Sequence, residues 1–130
     1  MKDFALFLAR VLLAAIFLWA GYGKLTHYTY MQGYLVSLGV PGWSFPFIIL
    51  WELGGGLAVL TGFLTRPVAL LMGAFCVISA LIAHLHPADQ EQMINFMKNI
   101  SMTGGFLALW VSGAGALSLD RKFKLKWSPA

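Results

Sequence analysis

The sequence predicts an all-α fold: a polytopic membrane protein whose spans pack as an antiparallel four-helix transmembrane bundle. Three observations point to this. Of the 130 residues, 59% are hydrophobic and only 11% are charged, against about half and a quarter in soluble domains. A chain this short keeps much of its surface exposed, so the surplus apolar surface has to face lipid. The apolar residues also gather into four runs near the ~20 residues that cross ~30 Å of hydrocarbon. Apart from Arg10, the basic residues behind the net charge of +4 cluster near the ends of these runs. They form no stripe, so the expected partner is the lipid bilayer and not a nucleic acid.

The first run, Phe4 to Gly23, is longer than the apolar core of a signal peptide and no A-x-A pattern follows it, so it reads as a retained helix. The second, Phe45 to Leu64, is set off from the third, Val68 to Leu85, by Gly62 and Arg66-Pro67. Pro67 suits the first turn of a helix, where its missing N–H is not needed. His86-Pro87-Ala88-Asp89 stops the third run, and the fourth covers about Phe96 to Ser112. No soluble domain fits in the remainder, so residues 1–130 are expected to form one transmembrane domain. Four crossings put both termini on one side, with Lys2, Arg66, Arg121, Lys122, Lys124 and Lys126, while Lys24 and Lys98 fall on the other. Basic residues favour the cytoplasmic side. The expected location is therefore the plasma membrane, with cytoplasmic termini and an outward, aromatic loop from Lys24 to Ser44 carrying Tyr28, Tyr30, Tyr34 and Trp43.

Lipid gives helices no hydrophobic reason to associate, so close approach through small residues has to supply it. Ala69, Gly73, Cys76, Ala80 and Ala83 make such a stripe in the third run, and Ser101, Gly105, Ala108 and Ser112 in the fourth. Gly54, Gly55 and Gly56 are costly inside a helix and read as places where backbones meet. The second and fourth runs share an early glycine pair and a later glycine, a faint internal echo that fits two helical hairpins. The single cysteine, Cys76, excludes an intramolecular disulfide and a CxxC redox pair.

The second run also holds an acid. Glu52 lies ~10 Å past its outer end at 1.5 Å per residue. A mid-membrane acid costs roughly 2.5–3.5 kcal/mol, while each Leu, Ile, Phe or Val returns about 0.3–0.6 kcal/mol. The eleven such residues from Phe45 to Leu64 let the helix insert. Intramembrane charges are functional candidates with a partner to be found. Arg10, Ala14, Phe17, Gly21 and Lys24 share one face of the first helix, with Arg10 ~21 Å from Lys24 along it. Arginine keeps its charge and needs an acceptor, whereas Lys24 and Lys98 can snorkel. The expectation is one buried polar pocket shared by Arg10 and Glu52, in direct contact. Two readings stay open: an ion pair that only fixes helix register, or a polar site for a quinone head group, a proton or a polar metabolite.

His84 and His86 form an H-x-H with His27 on the same side, but i, i+2 spacing diverges on a helix, so no metal site is expected. His84 reads instead as a hydrogen-bond partner in the pocket. No haem motif and no Ser-His-Asp order are present.

The residues that carry these readings also resemble a known family. "LARVLLAAIFLWAGYGKL" (Arg10, Gly21, Lys24), "GVPGW", "WELGGGLAVLTGFLTRP" (Glu52, Arg66), "FMKNISMTGGFLAL" (Lys98, Asn99) and "SGAGALSLDR" (Gly113, Gly115) together resemble the DoxX family of small four-helix bacterial membrane proteins. Where this chain has Gly113-Ala114-Gly115, members often have Gly-Pro-Gly. The resemblance implies an inner-membrane protein of the kind labelled a quinol oxidase or thiosulfate:quinone oxidoreductase subunit. An accessory or quinone-binding component, working with a membrane or cytoplasmic redox partner, is then expected. Glu52 and Arg10 would be at its centre, with Lys24, His84, Lys98 and Asn99 lining the outer mouth. The alternatives are a non-catalytic scaffold that recruits redox or stress-response partners through the basic tail, and a small transporter. Four short helices leave little room for a pore unless the chain oligomerises.

Overall fold

A computed structural model describes residues 1–125; Lys126, expected in the basic tail, lies outside them. Among the described residues the regular structure is entirely helical. Helix α1 spans Lys2–Thr26, α2 Tyr28–Ser37, α3 Phe45–Thr61, α4 Thr65–Ser79, α5 Gln90–Ser112 and α6 Leu119–Lys122. A short 3₁₀ turn, Gly42–Ser44, leads into α3, and a π-helical turn, Ala80–His84, continues α4. Three of these segments are long and apolar enough to cross a membrane: Lys2–Thr26, Gly42–Thr61 and Thr65–His84. The expected fourth, α5, is less apolar. It starts at Gln90, ahead of the apolar run, because Asp89 caps it by accepting from the Gln92 N–H.

The stretch expected as an outer loop is largely helical. Helix α1 runs on to Thr26 and α2 follows at once. Helix α2 is tied to the start of α3 through its first half, with Gln32 donating to the Gly42 carbonyl at 2.9 Å and the Tyr28 ring set edge-on to Phe45 at 4.7 Å. Tyr30 and Trp43 stay exposed, as amphipathic rings do at a membrane boundary.

The long helices pair as α1 with α3 and α4 with α5. Gly21 faces Leu53 and Gly56 faces Phe17 and Leu18, so α1 and α3 run antiparallel. Gly73 lies against Thr103 and Phe106, and His84 meets Gln92, so α4 and α5 do the same. Between the pairs, Phe17 of α1 stacks on Phe75 and Phe106 beside buried Val59, Met72 and Cys76.

This arrangement accounts for Gly55 and Gly56 of α3 and corrects the expectation that Gly54 is also a point of close approach. A Cβ on Gly55 would meet Met72 Sδ of α4 at 2.5 Å, and one on Gly56 would meet Leu18 of α1 at 3.0 Å. Helix α3 is thus wedged between two neighbours, and consecutive positions serve opposite contacts. Gly54 meets nothing within 4 Å, whereas a Cβ on Gly21 would come within 2.7 Å of Leu53. Gly54→Ala is therefore expected to leave thermal stability in detergent unchanged or slightly raised. Gly21→Ala should lower it by about 1–3 kcal/mol, the range of an overpacked contact. Equal effects at the two positions would contradict the packing described.

Candidate functional site

The buried charges, Arg10, Glu52 and Asp120, fall into two separate polar centres. Glu52 is 3% exposed and pairs with Lys24, its Oε1 lying 2.7 Å from Nζ. The antiparallel register of α1 and α3 produces this contact, because Gly21, one turn before Lys24, lets the two helices close at the level of Glu52. The Lys24 side chain keeps 15% of its surface and the Glu52 side chain 5%. The fully buried Cys76 of α4 belongs to the apolar core between the helix pairs.

Arg10 is not in this centre, which corrects the expected Arg10–Glu52 contact. The guanidinium is completely buried at the other end of α1. Its Nη1 donates to the carbonyls of Leu60 at 3.0 Å and Val59 at 3.4 Å, and its Nη2 donates to the Leu117 carbonyl. The Phe7 ring lies 5.6 Å from the guanidinium carbon. The last carbonyls of a helix lack intrahelical donors and carry its negative end, so the end of α3 is a natural seat for a cation. Lys24, expected to snorkel alone, is the residue that pairs with Glu52. The two cations exchanged roles because the α1–α3 register matches Glu52 to the outer end of their common face.

The centre around Arg10 contains a residue that the sequence reading did not single out. Asp120 is fully buried and receives the Leu64 N–H on Oδ1 at 2.7 Å and the Thr65 N–H on Oδ2 at 2.9 Å. These are orphan donors at the start of α4. The Asp120 N–H in turn donates to the Gly62 carbonyl at 2.9 Å. Gly62 closes α3 in the left-handed conformation (φ +72°), with the Phe63 N–H returning to the Ala58 carbonyl, a Schellman end. A Cβ on Gly62 would lie 2.5 Å from Arg10 Nη1 and also strike Ser118. Leu64 is held at φ 48°, a strained conformation for a side-chain-bearing residue. The tight α3–α4 turn therefore joins the negative end of one helix to the positive end of the next. Arg10 neutralises the first end and Asp120 the second, and Asp120 is also an electrostatic neighbour of Arg10. Asp120 was legible only as an isolated acid two residues past Ser118, which caps α6 by accepting from the Arg121 N–H.

The remaining expected residues divide between the two ends. Gly113 (φ +75°) and Gly115 (φ +84°) make the turn after α5, and a Cβ on Gly115 would press on Leu6 and Asp3. Asp3 accepts from the Ala116 N–H at 3.0 Å, so the start of α1, the α3–α4 turn with Arg66 and residues 113–122 meet at one end of the molecule. Toward the other end, the half-buried His84 hydrogen-bonds Gln92 at 2.7 Å, and Asn99 donates to the Asn95 carbonyl within α5. Lys98 is exposed and lines a groove between α1 and α5. His84, Lys98 and Asn99 thus make their contacts on or along α5 and do not join the Lys24–Glu52 pair in one mouth. Gly105 packs on Leu13 of α1.

The sequence profile of the DoxX family matches residues 5–85. The chain is 43% identical to inner membrane protein YqjF of Escherichia coli (strain K12) over 127 residues, 98% of each chain. It is 36% identical to inner membrane protein YphA of the same organism, over 90% of this chain and 89% of the relative. No solved structure matches it.

Proposed function

The chain belongs to the DoxX family, and from that premise we propose that it is an integral inner-membrane protein. In this reading it is an accessory component of membrane redox chemistry that holds the polar head group of a quinone at Lys24 and Glu52. The observation that carries the proposal is the Lys24–Glu52 pair, 2.7 Å apart and flanked by apolar helices. Charges inside a bilayer are costly and tend to mark sites. Lys24 is the more accessible member, and its ammonium has donors to spare for a carbonyl oxygen arriving from the lipid. Glu52 lies behind it, anchoring the ammonium and standing ready to exchange a proton with a hydroxyl of the reduced head group.

The membrane arrangement is part of the same proposal. Helices α1, α3, α4 with its π turn, and α5 cross as an antiparallel four-helix bundle made by residues 1–130 as a single domain. Several polar side chains of α5 find partners within the protein, as when Thr103 donates to the Gly73 carbonyl at 3.2 Å. Both termini lie in the cytoplasm, since the end holding Lys2, Arg66, Lys122 and Lys124 is the more basic one. A second reading is a scaffold for redox or stress-response partners. It is favoured by the way Asp120 fixes the segment after α5 and sets Arg121 and Lys122 at the surface.

The two readings differ in a binding titration with a short-chain quinone. The wild-type protein is expected to bind it, and Glu52→Gln, which keeps the shape of the side chain, should weaken binding about tenfold or more, as for a lost charged hydrogen bond. Equal affinity in the two proteins would remove Glu52 from the role, and no binding to either would leave the scaffold.

A further inference from the structure

We infer that the groove between α1 and α5 is a site for an anionic phospholipid, with Lys98 holding its phosphate and one acyl chain lying along the helices. The inference rests on α5 being in the membrane, as proposed above. The groove has a volume of about 610 Å³ and is walled by Leu12 and Ile16 of α1 and Met93, Met97 and Met102 of α5. That is ample for part of a lipid chain, and flexible methionines adapt to an irregular occupant. The helices approach closely where Leu13 meets Gly105, and Gln90 at the start of α5 is also part of the groove lining.

Lys98 is the charge on this wall. It is exposed, and no ion pair to it occurs among the described residues, whereas Lys24 is committed to Glu52 and Arg10 to backbone carbonyls. Gln92, which is tied to His84, lies ~9 Å from Lys98 along the helix. The lysine stem can therefore extend toward the polar end of α5 and carry its ammonium to head-group level. A phosphate there has its counter-charge, and the chain below it runs past Met97 and Ile16 toward the middle of α1. A zwitterionic lipid offers the same chain and a phosphate already neutralised within its own head group. Charge complementarity therefore selects an anionic lipid.

Native mass spectrometry of the detergent-purified protein, titrated with short-chain phosphatidylglycerol or phosphatidylcholine, tests this. The wild type is expected to prefer phosphatidylglycerol about fivefold, the size of one lysine near an anionic surface. Lys98→Gln should bring the ratio close to one, Lys98→Arg should keep it, and Ile16→Trp, which fills the groove, should weaken both lipids. Inorganic phosphate should not compete, because the chain supplies much of the hold. An equal affinity for the two lipids in the wild type, a preference untouched by Lys98→Gln, displacement by inorganic phosphate, or a lipid-free dimer that Ile16→Trp dissociates would each overturn the lipid site. The membrane reading is checked separately by Gly104→Cys in a Cys76→Ala background, a position open enough to take a side chain. Labelling of the introduced thiol by an impermeant maleimide in sealed membranes would overturn the placement of α5. Protection of that thiol, with equal lipid affinities, would overturn the lipid site alone.

Discussion

Asp120→Ala is expected to abolish accumulation of folded protein, or to lower its stability in detergent by about 2–6 kcal/mol, the cost of leaving two buried N–H donors unpaired at about 1–3 kcal/mol each. The size follows from what the carboxylate does. It accepts two N–H groups at the start of α4 and anchors a leucine at φ 48°. Asp120→Asn should be nearly as damaging despite its shape. An amide has one acceptor oxygen for two donors, and its NH₂ would face an N–H. Asp120→Glu keeps the charge, but an extra methylene has no room in a site with no exposure. Thermal denaturation and membrane abundance of the three variants measure this, and near-wild-type stability of Asp120→Asn would contradict the capping role. Truncating the chain before Ser118 should match Asp120→Ala, because it removes the carboxylate that receives the Leu64 and Thr65 N–H groups.

The second large effect is expected at the other centre. Lys24→Met leaves the Glu52 carboxylate buried without its cation, and a loss of about 3–5 kcal/mol is expected for a buried charge without its counter-charge. The double variant Lys24→Met/Glu52→Gln should recover much of it, since replacing both members of a buried pair is often close to neutral. The coupling from this cycle should exceed about 1 kcal/mol, the top of the range for exposed pairs. The cycle also bears on function. A pair that only sets register would be replaced in the double variant without loss of quinone binding, whereas the proposed site loses binding even where stability returns. Additive single effects would show that the two side chains do not depend on each other.

Much of the fold was legible in the sequence because it rests on local properties. Apolar runs, their polar ends, Gly62 as a terminator and Pro67 in a first turn are written in consecutive residues. So is the gathering of basic residues at the end where Asp3 bonds residue 116. The helical character of residues 28–37 was missed because their mixed polar and aromatic composition carries no strong period. The charges were half legible. Arg10, Lys24 and Glu52 stood out as costly, and Arg10 and Lys24 share the same face of α1. Which of the two cations meets the acid depends on an axial offset between helices, and three-residue spacing does not encode that offset. Asp120 was harder still, because a lone acid in a basic tail looks like a solvated residue until the turn it caps is brought beside it.

The sequence by itself determined the medium, the long apolar helical segments and the need for Glu52 and Arg10 to find partners, since burial costs and periodicity accumulate residue by residue along the chain. Only the tertiary structure decided the partners. The choice between Lys24 and Arg10 for the acid is set by how α1 slides against α3, and the guanidinium's acceptor at Leu117 lies 107 residues away along the chain. Small residues such as Gly21 and Gly62 fix that slide by how closely they let backbones approach, and closeness is a property of two surfaces together.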